Sequence, residues 1–312
     1  MNAAAPYADP WRFVSNVEVY LLVAFLIGSY VYMVRVIGPK AVAPGEEVVS
    51  RSNLRSFVAA MLLLFVGSTW PLHQIAEGYL YSAHMLQHMM LSYFMPPLVL
   101  LATPEWLLRV LVGKGTTYRV VRFFSTPVVA AVLFNGMVMV SHIPDVVNES
   151  TSNGPLHYLI HFAIVSTALL MWMPVVGPFK ELHMRPAGKM IYLFLQSVVP
   201  TVPAAWLALA EGTVYDSYEQ PVRVWGIGPI SDQQTAGLIM KVGGGVFLWA
   251  VVITLFVRRF GKSPDTENTY RRRPTPPSDS TAGGDVAAHE ALTYEQVAEA
   301  FERSDAPAEP RR

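Results

Sequence analysis

Two pairs of histidines set the chemical question. His84 and His88 lie in AHMLQHMMLSYFMPPLVLLATP, and His157 and His161 in PLHYLIHFAIVSTALLMWMP, both runs apolar enough to cross a bilayer. On a helix a spacing of four puts both imidazoles on one face, one turn apart, so each pair can hold an ion from a single helix. Ionisable side chains are costly in hydrocarbon and face bundle interiors, which makes an intramembrane histidine a functional-site candidate by default. One nearer an interface can instead bond water or a headgroup.

The elements that must position these rings are membrane helices. The chain has 312 residues, 52% hydrophobic and only 15% charged, with no net charge. Its mean hydropathy of +0.34 is too apolar for an ordinary water-soluble domain. No basic surface points to nucleic acid. Apolar runs of the length a ~30 Å core requires fall at 17–37, 55–73, 79–102, 127–147, 156–176, 190–211 and 236–257, which predicts an all-α bundle of seven transmembrane helices. Basic residues alternate between connections. Arg35, Lys40, Arg51 and Arg55 follow the first span, Arg109, Lys114, Arg119 and Arg122 the third, Lys180, Arg185 and Lys189 the fifth, and Arg258, Arg259 and Lys262 the seventh. The other connections hold Glu77, Asp145, Glu149, Glu211, Asp216 and Asp232, with Arg223 as their one basic residue. The positive-inside rule then puts the N-terminus outside and the C-terminus in the cytoplasm.

Residues 1–16 lack the basic flank and cleavage site of a secretory signal and read as a short retained exofacial segment before a membrane domain at 17–260. Residues 261–312, rich in Pro, Ser, Thr and charge, read as a disordered cytoplasmic tail with a short amphipathic helix at 290–303. Prolines at Pro96-Pro97, Pro174, Pro200 and Pro203 interrupt the spans. Each frees backbone carbonyls and opens space in a bundle.

In that orientation His73 ends the second span, His84 and His88 occupy the outer half of the third, His142 closes the fourth, and His157 and His161 open the fifth. Six of eight histidines therefore gather on the outer side, leaving His183 in a cytoplasmic loop and His289 in the tail. Together they point to a metal site or a proton relay. With no cysteine in the chain, a metal must use His, Met or oxygen. Met85, Met89 and Met90 flank the third-span histidines, Met95 lies deeper on nearly the face of His84, and Met139 precedes His142 by one turn. Imidazole with thioether favours copper, although methionine is also common apolar filler. Asp145 and Glu149 either orient an imidazole or are solvated loop charges. Lys241 either snorkels outward or pairs with a carboxylate. No phosphate loop, GxSxG or HExxH occurs.

The stretch His84-Met85-Leu86-Gln87-His88-Met89, with Pro96-Pro97 and Ala102-Thr103-Pro104 after it, resembles the CtaG-type cytochrome c oxidase assembly factors. So do His142-Ile143-Pro144, His157-x-x-x-His161 with Trp172-x-Pro174, Trp225-Gly226-Ile227, and Asp232-Gln233-Gln234-x-Ala236-Gly237. The pattern runs in order over about 55–258 and departs at Ser141, where Trp is expected, and at Lys241, where an apolar or aromatic residue is expected. The resemblance implies a multi-pass plasma-membrane protein, not an enzyme, that matures a haem-copper oxidase by helping deliver copper to its catalytic subunit. An extracytoplasmic copper donor is a further implied partner. On this reading His84, His88, His157, His161, His142 and His73 form an exofacial copper site, with Met85, Met89, Met95, Met139, Asp145 and Asp232 as accessory candidates. The rivals are a b-type haem oxidoreductase, for which two histidines from neighbouring helices can be axial ligands, a copper permease, and a seven-helix receptor suggested by span count alone.

Overall fold

Apolar runs bounded by proline, glycine and short polar caps fold as helices throughout residues 9–260, the part that the computed structural model describes, and no strand occurs among them. The expectations for 1–8 and for the tail at 261–312, with its helix at 290–303 and His289, lie outside the described residues. We number the helices α1 (Val17–Ala41), α2 (Arg51–Ser68), α3 (Leu72–Gly78), α4 (Tyr81–Ala102), α5 (Glu105–Val112), α6 (Thr116–Phe124), α7 (Pro127–Ser141), α8 (Pro144–Ser152), α9 (Gly154–Val176), α10 (Pro186–Leu209) and α11 (Pro229–Arg259).

Five of these, α1, α4, α9, α10 and α11, are long and apolar enough to cross a membrane, and the number rises to seven if the bent pairs α2–α3 and α6–α7 each count as one span. The bends fall where local chemistry puts them. Pro71 caps α3 after a 46° turn, and Pro127 opens α7 after a 69° turn. The run expected to be helical over 127–147 stops at Ser141, because Pro144 cannot donate into a continuing helix and instead starts α8. At ~1.5 Å per residue, the fifteen residues of α7 reach only about 22 Å.

Helix α4 is the centre of the bundle, with 67% of its apolar window buried against 11% for α1. It stays continuous through Pro96-Pro97, where an interruption was expected. The missing proline donors are absorbed by one wide turn over Met90–Phe94, in which the Met95 amide donates to the Met90 carbonyl five residues back. Proline does break α10, where a turn at Val199-Pro200 separates two helical stretches. Lipid tails are as apolar as leucine, so such helices associate by close packing and hydrogen bonds more than by exclusion of water. Both are present. Gly237 of α11 packs against α10 so tightly that a Cβ there would lie 2.6 Å from the Ala204 carbonyl oxygen. Asn135 Nδ2 of α7 donates to Gln196 Oε1 of α10 at 2.6 Å, and the Tyr192 hydroxyl donates to the Met171 carbonyl at 3.1 Å. Lys241 is exposed and pairs with no carboxylate among the described residues; its Nζ donates to Thr201 Oγ1 on α10 at 2.6 Å.

Candidate metal centre

The frame of the site comes from α3, α4, α9, the end of α7 and the connection at 210–228. Asp232, near the start of α11, is buried and accepts from the backbone amides of Tyr81 at 2.7 Å and Ser82 at 2.9 Å. Its carboxylate thus caps α4 from another helix and meets two of the donors a helix start leaves open. The connection is fastened in the same way. The Tyr218 hydroxyl donates to the Ala76 carbonyl of α3 at 3.1 Å, the Tyr215 hydroxyl to the His142 carbonyl at 3.0 Å, and Gln233 Oε1 accepts from the Val214 amide at 2.7 Å. Burial pushes the Tyr215 hydroxyl up to about 12 and Tyr218 well above its usual range, so both remain donors at neutral pH. Tyr81 packs on both rings, with centroids 4.6 and 5.0 Å away.

Within this frame the two i,i+4 pairs meet. Ring centroids are 4.4 Å apart for His84 and His88, 4.7 Å for His88 and His161, and 4.3 Å for His161 and His157. Potential ligand atoms of His84, His88 and His161 all lie within 4.8 Å of one another. A second such group joins His157 and His161 to Glu77 of α3. Glu77 Oε1 is 3.2 Å from His84 Nδ1 and Oε2 is 3.5 Å from His157 Nδ1. Yet Glu77 Oε1, His84 Nδ1 and His161 Nε2 are buried with no aligned hydrogen-bond partner. Buried polar atoms in folded proteins are nearly always paired. Imidazole nitrogens gathered beside a carboxylate could hold a cation.

His142 and His73 stand at the edges of this group. His142 Nδ1 donates to the Val138 carbonyl at 2.7 Å, which leaves its buried Nε2 an unpartnered acceptor in a cleft shared with His84, His88, His157 and His161. This is how metal-binding imidazoles are commonly held, one nitrogen fixed by a carbonyl and the other free. His73 Nδ1 contacts Gln87 Nε2 at 3.2 Å, and its ring is 6.5 Å from His157. Met85 lines the cleft and Met89 lies beside His88 in the adjoining apolar cavity. The other accessory candidates are placed elsewhere. Met95 packs with Ala60 and Leu91, Met139 is 39% exposed, Asp145 is exposed, and Asp232 is committed to its two amides. His183 contacts the Gly177 carbonyl, at the far end of α9 from His157.

Glu77 is the residue that the sequence reading passed over, treating it as one of the acids in a non-basic connection. The signal was there, since His73 and Glu77 repeat the spacing of four seen in the other pairs.

No curated protein and no solved structure is detectably similar to the chain. The family model described as cytochrome c oxidase caa3 assembly factor matches residues 28–262, about three quarters of the sequence and all the helices that carry the histidine cluster. The chain belongs to the family of cytochrome c oxidase caa3 assembly factors.

Proposed function

We propose that this assembly factor carries copper to the catalytic subunit of a haem-copper oxidase, holding the ion between His84, His88 and His161. The observation that carries the reading is the convergence of those three imidazoles, with His84 Nδ1 and His161 Nε2 buried and without an aligned hydrogen-bond partner. His157 adjoins them, His142 offers a further free nitrogen, and His73 lies at the rim. Neutral imidazoles suit copper in either oxidation state, and Met85 and Met89 nearby are soft enough to favour copper(I). A carrier has to release its ion, so three nitrogens with an open position suit it better than a closed cage.

Taking each bent pair as one span gives seven. The alternation of Arg and Lys between connections then puts the histidine end on the extracytoplasmic side of the plasma membrane, within reach of a copper donor and of the oxidase. The chain is on this reading a carrier and not an enzyme. A b-type haem would need a planar slot between axial imidazoles, and here the imidazole centroids lie only 4.3 to 4.7 Å apart.

Metal analysis with an absorption spectrum on detergent-purified protein tests the reading, wild type beside His88→Ala/His161→Ala. Copper present in the wild type and lost from the variant, with no haem band, is expected. Full copper occupancy in the double variant would remove the proposed site. A haem band lost with the histidines would make the protein an oxidoreductase.

A further inference from the structure

The ligand atoms do not meet as one large set. Among the described residues they form two threes, His84 with His88 and His161, and Glu77 with His157 and His161, and His161 belongs to both. The threes differ in charge and depth. One is all imidazole and includes His88, buried one helical turn further into α4 than His84. The other contains a carboxylate whose side chain is 22% exposed, on the short helix at the end of the bundle. The side chains of His84 and His157 are each 13% exposed and His88 is buried, so the three with the carboxylate is the more exposed, and an ion passing from it to the other exchanges an anionic oxygen for neutral nitrogens.

We infer that Glu77, His157 and His161 form a port through which copper passes to and from a holding site made by His84, His88 and His161, with His161 bound to the ion throughout. This rests on the copper-carrier reading. The step is a ligand exchange. On loading, the bonds from copper to the Glu77 oxygen and the His157 nitrogen break, bonds to His84 and His88 nitrogens form, and no electron or proton is transferred. Release runs the same path backwards.

Two features of the structure make the exchange short. The centroids of His157 and His161 are 4.3 Å apart, and those of His161 and His88 are 4.7 Å apart, so the shared ring stands between the two threes. Glu77 also lies within 4 Å of imidazole nitrogens on α3, α4 and α9, including His84 of the holding set. Its carboxylate offsets one unit of the ion's charge at entry, and once the ion has moved on only neutral ligands hold it.

The test uses copper(I) added anaerobically to the detergent-purified full-length protein, with release followed by transfer to a coloured copper(I) chelator. In Glu77→Gln and in His157→Gln, uptake and release are expected to slow on the order of tenfold. The ion that these variants do bind should keep the all-nitrogen shell of the wild type, seen by X-ray absorption. In His88→Ala the bound ion is expected to show an oxygen in its shell, having stopped at the port. Wild-type rates in both port variants would overturn the inference and leave the copper site standing. An oxygen in the shell of the equilibrated wild-type ion that is lost in Glu77→Gln would also overturn it, since Glu77 would then be an ordinary ligand of a single site. A wild-type protein that binds no copper would remove the carrier reading and the port with it.

Discussion

Each end of the bundle holds a histidine fastened to a backbone carbonyl, and only one of the two shares a cleft with other histidines. His142 Nδ1 is 2.7 Å from the Val138 oxygen, and His183 Nε2 is 2.6 Å from the Gly177 oxygen. The second nitrogen of His142 is buried without a partner in a cleft lined by other histidines, whereas His183 is half-buried in a connection with no imidazole stacked on it among the described residues. The polar clusters around them differ in the same way. At the His183 end, Arg109 bridges Glu105 at 2.7 Å and Glu181 at 2.9 Å, the Tyr118 hydroxyl donates to the same Glu181 oxygen, and the guanidinium lies over Phe179. Donors there are matched to acceptors. At the histidine end, Glu77 Oε1, His84 Nδ1, His142 Nε2 and His161 Nε2 are buried without an aligned partner. Fastening a ring is common structural practice, and an unpaired buried acceptor beside others is what distinguishes a binding site.

The contrast is broken most severely by removing the frame of the histidine end. Asp232→Ala strands two buried amides at the start of α4 and should cost about 3 kcal/mol of stability. Copper retention should fall with it, because the first turns of α4 carry His84 and His88. Asp232→Asn keeps one acceptor oxygen and should lose less. The matching cap at the other end is Ser50, whose Oγ accepts from the Asn53 amide at 3.1 Å to start α2. Ser50→Ala is expected to cost about 1 kcal/mol and leave copper binding unchanged. Thermal unfolding in detergent and metal analysis, run on all three variants, separate the two caps. Equal copper loss from Ser50→Ala and Asp232→Ala would mean that the ends are not distinct.

Next in size is the pair of histidines itself. His142→Ala should weaken copper retention on the order of 10- to 100-fold, the usual effect of losing a group that supports a metal's immediate ligands. His183→Ala should leave it at the wild-type value. Competition with a chelator of known affinity measures both. Equal retention in the two variants would reduce His142 to a structural residue.

Much of this contrast is legible in the sequence, and the illegible part has a definite cause. Helices and their membrane character follow from run length and hydropathy, and the His84/His88 and His157/His161 pairs from the helical period, because those signals are local. Which helices adjoin is not local. Asp232 caps Tyr81 from 151 residues away, so a buried carboxylate within a family motif reads from sequence as an accessory ligand when its oxygens are already taken. Met139 and Asp145 are near His142 in the chain, yet Met139 turns out of the bundle and Asp145 stays exposed beyond the proline that ends α7. Glu77 was counted only for its charge in a connection. The bend at Pro71, which swings α3 against α4 and α9, is what makes it part of the site.

A smaller effect sharpens the role of the connection at 210–228. Tyr218→Phe deletes one hydrogen bond, to the Ala76 carbonyl, and keeps the ring that packs on Tyr81. It should cost about 1 kcal/mol. Because Ala76 adjoins Glu77, exchange of copper through the port should change more than equilibrium retention. A variant with unaltered exchange and altered retention would show that the connection positions the holding site instead.

The smallest effect belongs to the saturated end. Arg109 and its carboxylate partners are exposed, where water and salt screen an ion pair, so Arg109→Ala should lower thermal stability only slightly and by less at high salt. The Glu181 carboxyl lies below its usual range, held there first by its own backbone amide and then, against desolvation, by Arg109 and Tyr118. A carboxyl with a lowered folded-state value stabilises the fold above the ordinary glutamate range, and that contribution disappears as pH falls through the lowered value. Thermal melts of wild type and Glu181→Gln should therefore differ at neutral pH and converge in acid. Copper retention at neutral pH should be the same in both. If Glu181→Gln released copper, the two ends would be coupled through α4 and α9, and the saturated cluster would be part of the carrier's mechanism instead of a fastening between connections.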